Sequence, residues 1–403
     1  MVDIPFALID PRSVRIADVY KAGQFVARLR RTEQGIRFEY LPNAVAVATT
    51  LPVSDEPVTH PAGAVPPFFA GLLPEGRRLT ALRNQVKTSW DDELSLLLVV
   101  GNDVIGDVQV VPEGEIPKES EALVTVKSSF AEVRFSEILR DARIVDRTGI
   151  PGFQDKASAR MISVPVARAS GRYILKIDPP EYPLVVQNEF YFIALAKSAG
   201  IPTVDAEIVA DADGQLGLLV RRFDRTPGVD GVVRSLACED ACQLLNLWPA
   251  DKYNATSEVV TKSVVQVCAA GPVAARDVFR QFCFAWLTGN GDVHAKNVSV
   301  LATPEGEWRV SPAYDLPSTL VYGDLTMALE LNGKRDGFSG RQMLEFADSI
   351  GLTSKAASRT IGELIDATDR MIADLEGGAV PFAQHVVHDW TRRLAARRKA
   401  LLR

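Results

Sequence analysis

The sequence predicts an α+β protein built from three successive units, and three patterns carry that reading. Residues 14–53 alternate polar with β-branched or aromatic positions between turn signals, residues 149–225 run strand pair, helix, strand pair, and the chain beyond 235 has mostly helical spacing. They divide the chain into a β-rich amino-terminal subdomain at 1–118, a mixed unit at 119–235 and a mostly helical unit at 236–403. A chain of 403 residues, 47% apolar and 24% charged, exceeds what one hydrophobic core usually serves.

In the first unit, VRIADVY, GQFVARLRR and IRFEYL read as a meander of short strands. From 66 to 100 the spacing turns helical: PPFFAGLLPEGRRLTALRNQ comes first, then TSWDDELSLLLVVG, where Thr88 or Ser89 is the expected N-cap. The polar, Pro- and Gly-bearing stretch VPEGEIPKESEALV at 111–124 is the expected linker, and FAEVRFSEILRDAR after it reads as a helix.

The second unit holds GIPGFQDKASARMISVPV and GRYILKIDP as strand-like runs, EYPLVVQNEFYFIALAKSAGIP as a helix, and AEIVAD and QLGLLVRRFDR as strands. That order is the order of a kinase small lobe. In the third unit helical runs are interrupted by VSVL and WRVS, an expected hairpin in a lobe otherwise expected to be all-helical. No repeat or low-complexity segment is found.

The net charge of -6 argues against a broad nucleic-acid footprint, which needs clustered Lys and Arg. Cys238, Cys242, Cys268 and Cys283 lack the short paired spacings of zinc sites, so neither metal ligation nor disulfides are expected. The start MVDIPFALIDPRS has no basic segment followed by a long apolar stretch, and the longest apolar run, LSLLLVV, is too short to span a bilayer. A reduced, cytosolic protein is the expectation.

The motif richest in chemistry is GNGDVHAKNVSVL at 289–301, followed by SPAYDL at 311–316. Phosphoryl transfer needs a carboxylate beside the attacking hydroxyl, commonly with an Asn five residues on and a later Asp as metal ligands. Asp292, Asn297 and Asp315 have that arrangement. The bland alternative is a helix C-cap and turn whose Asp and Asn serve local backbone hydrogen bonds. His294, between Asp292 and Lys296, is open to either a loop-organising or a ligand-facing role.

Positive charge for phosphates is expected from Lys176, at the polar end of a strand, and from Lys156, in a loop where Gly149 and Gly152 let backbone N–H groups approach a ligand. Glu189, in the following helix, is placed to pair with Lys176 as a helix glutamate does in protein kinases. Each has a surface-residue alternative. The backbone around Arg221, Arg222 and Phe223 leads from one lobe to the next and is positioned to meet an adenine base. The carboxy-terminal TRRLAARRKALLR reads as a solvated helix face with cations at the helix end.

In combination and order, GIPGFQDKASARM, YILK, QNEF, AGIP, VRRFDR, GNGDVHAKN and SPAYDL resemble the HipA family of toxin kinases, and PFFAGLLPEGRR and LLLVVGNDVIGDVQV extend the likeness over nearly the whole chain. The resemblance implies a two-lobed protein-kinase-like fold with an extra β-rich amino-terminal subdomain, phosphorylating a protein serine or threonine with ATP and Mg2+. Carried over motif by motif, Asp292 would be the catalytic base or hydroxyl-orienting carboxylate, Lys176 would contact phosphates, and Asn297 and Asp315 would hold magnesium. Pro151, Gly152, Phe153, Gln154, Asp155 and Lys156 would form the phosphate loop, Arg221, Arg222 and Phe223 the adenine hinge, and Tyr314, His294 and Lys296 would neighbour the nucleotide and metal.

The family further implies a helix-turn-helix, HipB-like antitoxin as partner. It also implies a protein substrate such as an aminoacyl-tRNA synthetase or another translation protein, DNA contact only through the antitoxin, and no membrane. Two positions depart from the pattern: Gly149 stands where several members carry an autophosphorylated serine, with Thr148 adjacent, and Arg221 begins a hinge that often begins with Glu. Two other readings stay open, a small-molecule phosphotransferase of the aminoglycoside type and an inactive nucleotide-binding co-repressor.

Overall fold

The computed structural model describes residues 10–118, 124–125, 129–141, 161–168, 171–227 and 233–403. Near the amino terminus the alternating segments form an antiparallel sheet in the order Val58–His60, Gly35–Tyr40, Gln24–Thr32, Ile16–Lys21, Val108–Pro112. The inward positions Ala17, Val19, Val26, Leu29, Ile36 and Phe38 bury against Phe68, Phe69, Leu94 and Leu97. Each large side chain so buried contributes about 1.5–3 kcal/mol.

The helical stretch after 66 is two helices, Pro67–Gly71 and Gly76–Val86, because Pro74 lacks the N–H needed to continue the first. The next helix, Glu93–Val100, is capped by Asp92, whose carboxylate accepts the Ser95 N–H. This corrects the expected cap at Thr88 or Ser89: Thr88 instead donates its hydroxyl to Asp92 at 2.8 Å, bracing the cap.

A second five-stranded sheet has the order Val124–Thr125, Ile162–Arg168, Gly171–Ile177, Leu216–Arg221, Ala206–Ala210, with only the Val124–Thr125 pairing parallel. The helix Val185–Ser198 packs on it through Val185, Val186, Phe192, Ile193 and Ala196. Its N-cap residue, Leu184, makes no side-chain capping bond. Asp178, at the end of the preceding strand, accepts the N–H groups of Leu184 and Val186 at 2.8 and 2.7 Å. Burial holds the Asp178 carboxyl above its ordinary pKa, against the pull of those N–H groups.

The remainder is helical, with Ser257–Val267, Gly271–Thr288, Gly340–Ser349, Ser354–Ala367, Met371–Glu376 and Gln384–Leu401 around Phe279, Phe282, Phe346 and Trp390. The expected hairpin, Ser299–Ala302 with Trp308–Val310, gains a third strand, Cys238–Asp240, so the lobe is helical around a small sheet rather than helical throughout. The last helix also departs from a purely solvated face. Arg397 is buried, lies 4.0 Å from the Trp286 ring centre, and donates to the carbonyls of Trp286 and Leu325. Arg398 donates to Ile365 O and Thr368, whereas Arg392 and Arg393 pair with Asp389 at the surface.

Among the described residues no helix is long and apolar enough to cross a membrane, and the four cysteines are free and buried.

Candidate active site

The site is assembled where the long helix Gly271–Thr288 stops. Gly289 takes φ 72, and a Cβ there would meet the Leu320 Cβ at 2.8 Å, so the turn requires glycine on both conformational and steric grounds. The next residue, Asn290, ties two loops together: its Oδ1 accepts the Asp292 N–H at 3.0 Å and its Nδ2 donates to the Asp315 carbonyl at 3.0 Å. Gly291 N–H donates to Thr319 Oγ1 at 2.8 Å. This double anchorage holds the Asp292 backbone against the loop that carries Asp315.

Asp292 is 5% exposed, and the Tyr253 hydroxyl donates to its Oδ1 at 3.0 Å. Burial, then the neighbouring carboxylate, pushes the Tyr253 phenol well above its ordinary pKa, so the hydroxyl keeps its proton and acts as donor. The Tyr253 and His294 rings meet edge to face at 5.1 Å. His294 N–H donates to Asn297 Oδ1 at 3.1 Å within the tight turn Ala295–Asn297.

Asp315 has φ 54, a left-handed conformation that Asp tolerates better than most residues with a side chain. Its Oδ2 accepts from Asn297 Nδ2 at 3.1 Å and its Oδ1 pairs with the Lys176 ammonium. That ammonium also contacts Glu189 Oε1 at 2.6 Å. Burial opposes charge on Lys176, but the Asp315 and Glu189 carboxylates outweigh it and hold the lysine above its ordinary pKa. Glu189 is carried by a helix fixed from the other side: Asn188 accepts the Ser318 N–H at 2.8 Å and donates to the Ser318 carbonyl at 3.0 Å.

The structure therefore brings Lys176, Glu189, Asn297 and Asp315 into one chain of contacts, joined to Asp292 through Asn290. Asp315 and Asn297 offer hard oxygen donors, and with 36% of its side chain exposed Asp315 is open to a ligand. Such a set suits magnesium, which takes one or two protein oxygens and completes its shell with phosphate and water. Among the described residues no cluster of three His, Cys, Asp or Glu forms a separate metal cage.

Other residues named from the sequence turn to protein partners. Lys296 is partly buried, donating to the Gly71 carbonyl at 2.9 Å and pairing with Asp240 at 3.1 Å and Glu75 at 3.6 Å. Tyr314 is held by Ser299 Oγ at 2.5 Å and the Lys296 carbonyl at 2.6 Å, and stacks on Phe223.

At the lobe connection the N–H of Arg221 donates to Asp205 and that of Arg222 to Arg172. The Arg222 guanidinium is buried against Asp224, Asp103 and the Val104 carbonyl, where Arg225 joins it. Its side chain thus bolts the amino-terminal sheet unit to this connection. Pro151, Gly152, Phe153, Gln154, Asp155 and Lys156 lie outside the described residues, as do Thr148 and Gly149.

Sequence reasoning did not single out Asn290, Tyr253, Asn188, Asp178 or Asp240. Asn290 stood inside the GNGD motif but looked like turn chemistry, Asp178 read as the end of a strand, and Tyr253, Asn188 and Asp240 are distant in sequence from Asp292, Ser318 and Lys296.

Comparison with known proteins agrees with this architecture. The family model for the HipA-like C-terminal domain matches residues 148–372, more than half of the chain, and that for the HipA N-terminal domain matches residues 17–111. Y4mE of Sinorhizobium fredii is 29% identical over 90% of this chain and 92% of its own. The serine/threonine-protein kinase toxin HipA of Shewanella oneidensis is 30% identical over 71% of each chain. A chain in the solved complex of Shewanella oneidensis HipA, HipB and operator DNA superposes with a TM-score of 0.76 at 21% identity, covering 96% of this chain and 97% of that one, and so shares its fold. With the HipA N-terminal domain at 17–111 followed by the HipA-like C-terminal domain at 148–372, the chain belongs to the HipA family.

Proposed function

We propose that this chain is an ATP- and magnesium-dependent serine/threonine protein kinase, the toxin of a two-component module with a helix-turn-helix antitoxin. The observation that carries the reading is the Lys176 ammonium held between Glu189 and Asp315, with Asn297 on the other Asp315 oxygen. Kinases use such a lysine and helix glutamate, with an Asp and Asn for metal, to position nucleotide phosphates.

In this reading Asp292 orients and deprotonates the attacking hydroxyl, and Tyr253 fixes the carboxylate's direction. Asn297 and Asp315 would hold the magnesium, which supplies charge stabilisation at the phosphates. Lys176 contacts the nucleotide phosphates, and the 221–223 segment lies along the adenine. Lys296 and the Arg222 side chain brace the loops instead, since protein carboxylates occupy both. The three units at 1–118, 119–235 and 236–403 serve as docking subdomain, small lobe and large lobe.

A protein substrate, such as an aminoacyl-tRNA synthetase, is favoured over a small molecule by the amino-terminal unit, whose sheet and helices add surface beside the site. The solved relative, a complex of HipA, HipB and operator DNA, supports an antitoxin partner and DNA contact through it. The free, buried cysteines suit a cytoplasmic setting.

Incubating the purified chain and Asp292→Asn with labelled ATP, magnesium and a host lysate tests this. Transfer to serine or threonine of one protein by the wild type, reduced about 100-fold or more in the variant, is expected. Nucleotide binding without any transfer by the wild type would overturn it.

A further inference from the structure

The stretch PFFAGLLPEGRR joins the amino-terminal unit to both lobes. Glu75 occupies the N-cap position of the helix Gly76–Val86, yet makes no capping bond to it. The carboxylate turns outward: Oε2 accepts from Lys252 Nζ at 2.5 Å and Oε1 stands 3.6 Å from Lys296 Nζ. Both lysines belong to the catalytic surroundings. Lys252 precedes Tyr253, the donor to Asp292, and its carbonyl accepts the Ala295 N–H at 3.2 Å. Lys296 precedes Asn297 and also donates to the Gly71 carbonyl at 2.9 Å. One carboxylate thus stands against both segments that flank Asp292, bonded to Lys252 and paired with Lys296, whose other carboxylate partner is Asp240 at 3.1 Å.

The contact is braced on both sides. Gln243 donates to the Phe68 carbonyl at 2.9 Å, and a Cβ at Gly71 would come within 2.9 Å of the Gln243 side chain, so helix Pro67–Gly71 sits directly on helix Ala241–Leu244. Two residues after Glu75, Arg77 pairs with Glu181 of the small lobe at 2.7 Å. The same short stretch therefore reaches the large lobe through Glu75 and the small lobe through Arg77.

We propose that Glu75 is a positioning residue for phosphoryl transfer, holding the Lys252–Tyr253 and Lys296–Asn297 segments so that Asp292 and Asn297 keep their relative geometry. The amino-terminal subdomain is then part of the catalytic apparatus as well as a docking surface. This rests on the kinase reading above, and small misplacements of reacting groups cost rate far more than they cost binding.

The test compares the full chain with Glu75→Gln, Glu75→Asp and Lys252→Met, measuring phosphate transfer, ATP affinity and amide exchange over residues 290–300. Glu75→Gln is expected to lower the transfer rate about tenfold while ATP affinity changes less than about twofold. Exchange at Ala295 and its neighbours rises. Glu75→Asp, which keeps the charge, falls between wild type and Glu75→Gln, and provides the readout if the glutamine variant does not fold. Combining Glu75→Gln with Lys252→Met costs no more than the worse single change, because both break one contact. Unchanged exchange in the 290–300 segment, or rate losses that multiply in the double variant, overturns the inference while leaving the kinase reading intact. A wild type that transfers no phosphate overturns the kinase reading instead, and the exchange result still decides whether Glu75 holds the loop.

Discussion

Tyr253 donates its hydroxyl to the carboxylate of Asp292 at 3.0 Å, across 39 residues of sequence. A hydrogen bond to a charged group contributes about 1.5–3 kcal/mol, and this one also restricts which oxygen of Asp292 faces outward. Tyr253→Phe keeps the ring against His294 and removes only the donor. Transfer is expected to fall about tenfold, with nucleotide affinity little changed, when single-turnover rates and ATP binding are measured side by side.

Glu189 is 1% exposed and its partner Lys176 is nearly as enclosed. Removing one member of such a pair strands the other charge in the interior. Glu189→Gln should therefore lower unfolding free energy by about 3–5 kcal/mol in urea titrations, less whatever Asp315 recovers by holding the lysine alone. A loss under about 1 kcal/mol would mean that Asp315 suffices as the lysine's counter-charge.

Asp224 governs an acid-sensitive joint. Burial acts to raise its pKa, but Arg222, Arg225 and the Gly106 N–H outweigh that and hold it below its ordinary value of 3.8. A carboxyl whose folded pKa is depressed contributes stability that is present above the unfolded value and lost as pH falls through the folded one. The joint should weaken as pH falls below the ordinary carboxyl value of 3.8, seen as a falling urea midpoint. Asp224→Asn should be less stable at neutral pH and show a shallower fall over the same range.

Asn297 touches both Asp315 and the His294 N–H. Asn297→Ala takes away an oxygen donor and the turn's internal tie. The magnesium concentration for half-maximal transfer is expected to rise about tenfold or more, with the thermal midpoint nearly unchanged, in a titration at saturating ATP. An unchanged magnesium requirement would remove Asn297 from the metal site.

Much of the fold was legible because its signals are local. Strand alternation at 14–53 and helical spacing beyond 235 follow from the period of each element, and the structure places sheet and helices there. What was missed involves partners from elsewhere. Cys238–Asp240 is too short to announce itself and is a strand only because Ser299–Ala302 lies beside it. The cap of Glu93–Val100 fell to Asp92, where the chain's entry angle puts a carboxylate in reach, although Ser89 has a similar intrinsic preference and Thr88 one only somewhat weaker. Arg397 looked like one more cation on a basic helix, and packing against Trp286 made it an interior donor.

By itself the sequence determined the kinds of element, their order and the chemistry available: a carboxylate and an amide at fixed spacing in one turn, a later aspartate, and a lysine at the end of a strand. Residue type and short-range spacing decide these things, and both are written along the chain. Only the tertiary structure decided who partners whom. Lys176 meets Asp315, 139 residues away, and Lys296 meets Glu75 rather than a ligand-facing space, because long-range packing sets which charges share one low-dielectric volume. A buried charge must find its counter-charge wherever the fold brings one. Spacing therefore offered candidate groups and left their contacts with Tyr253, Asn290 and Glu75 to the packed structure.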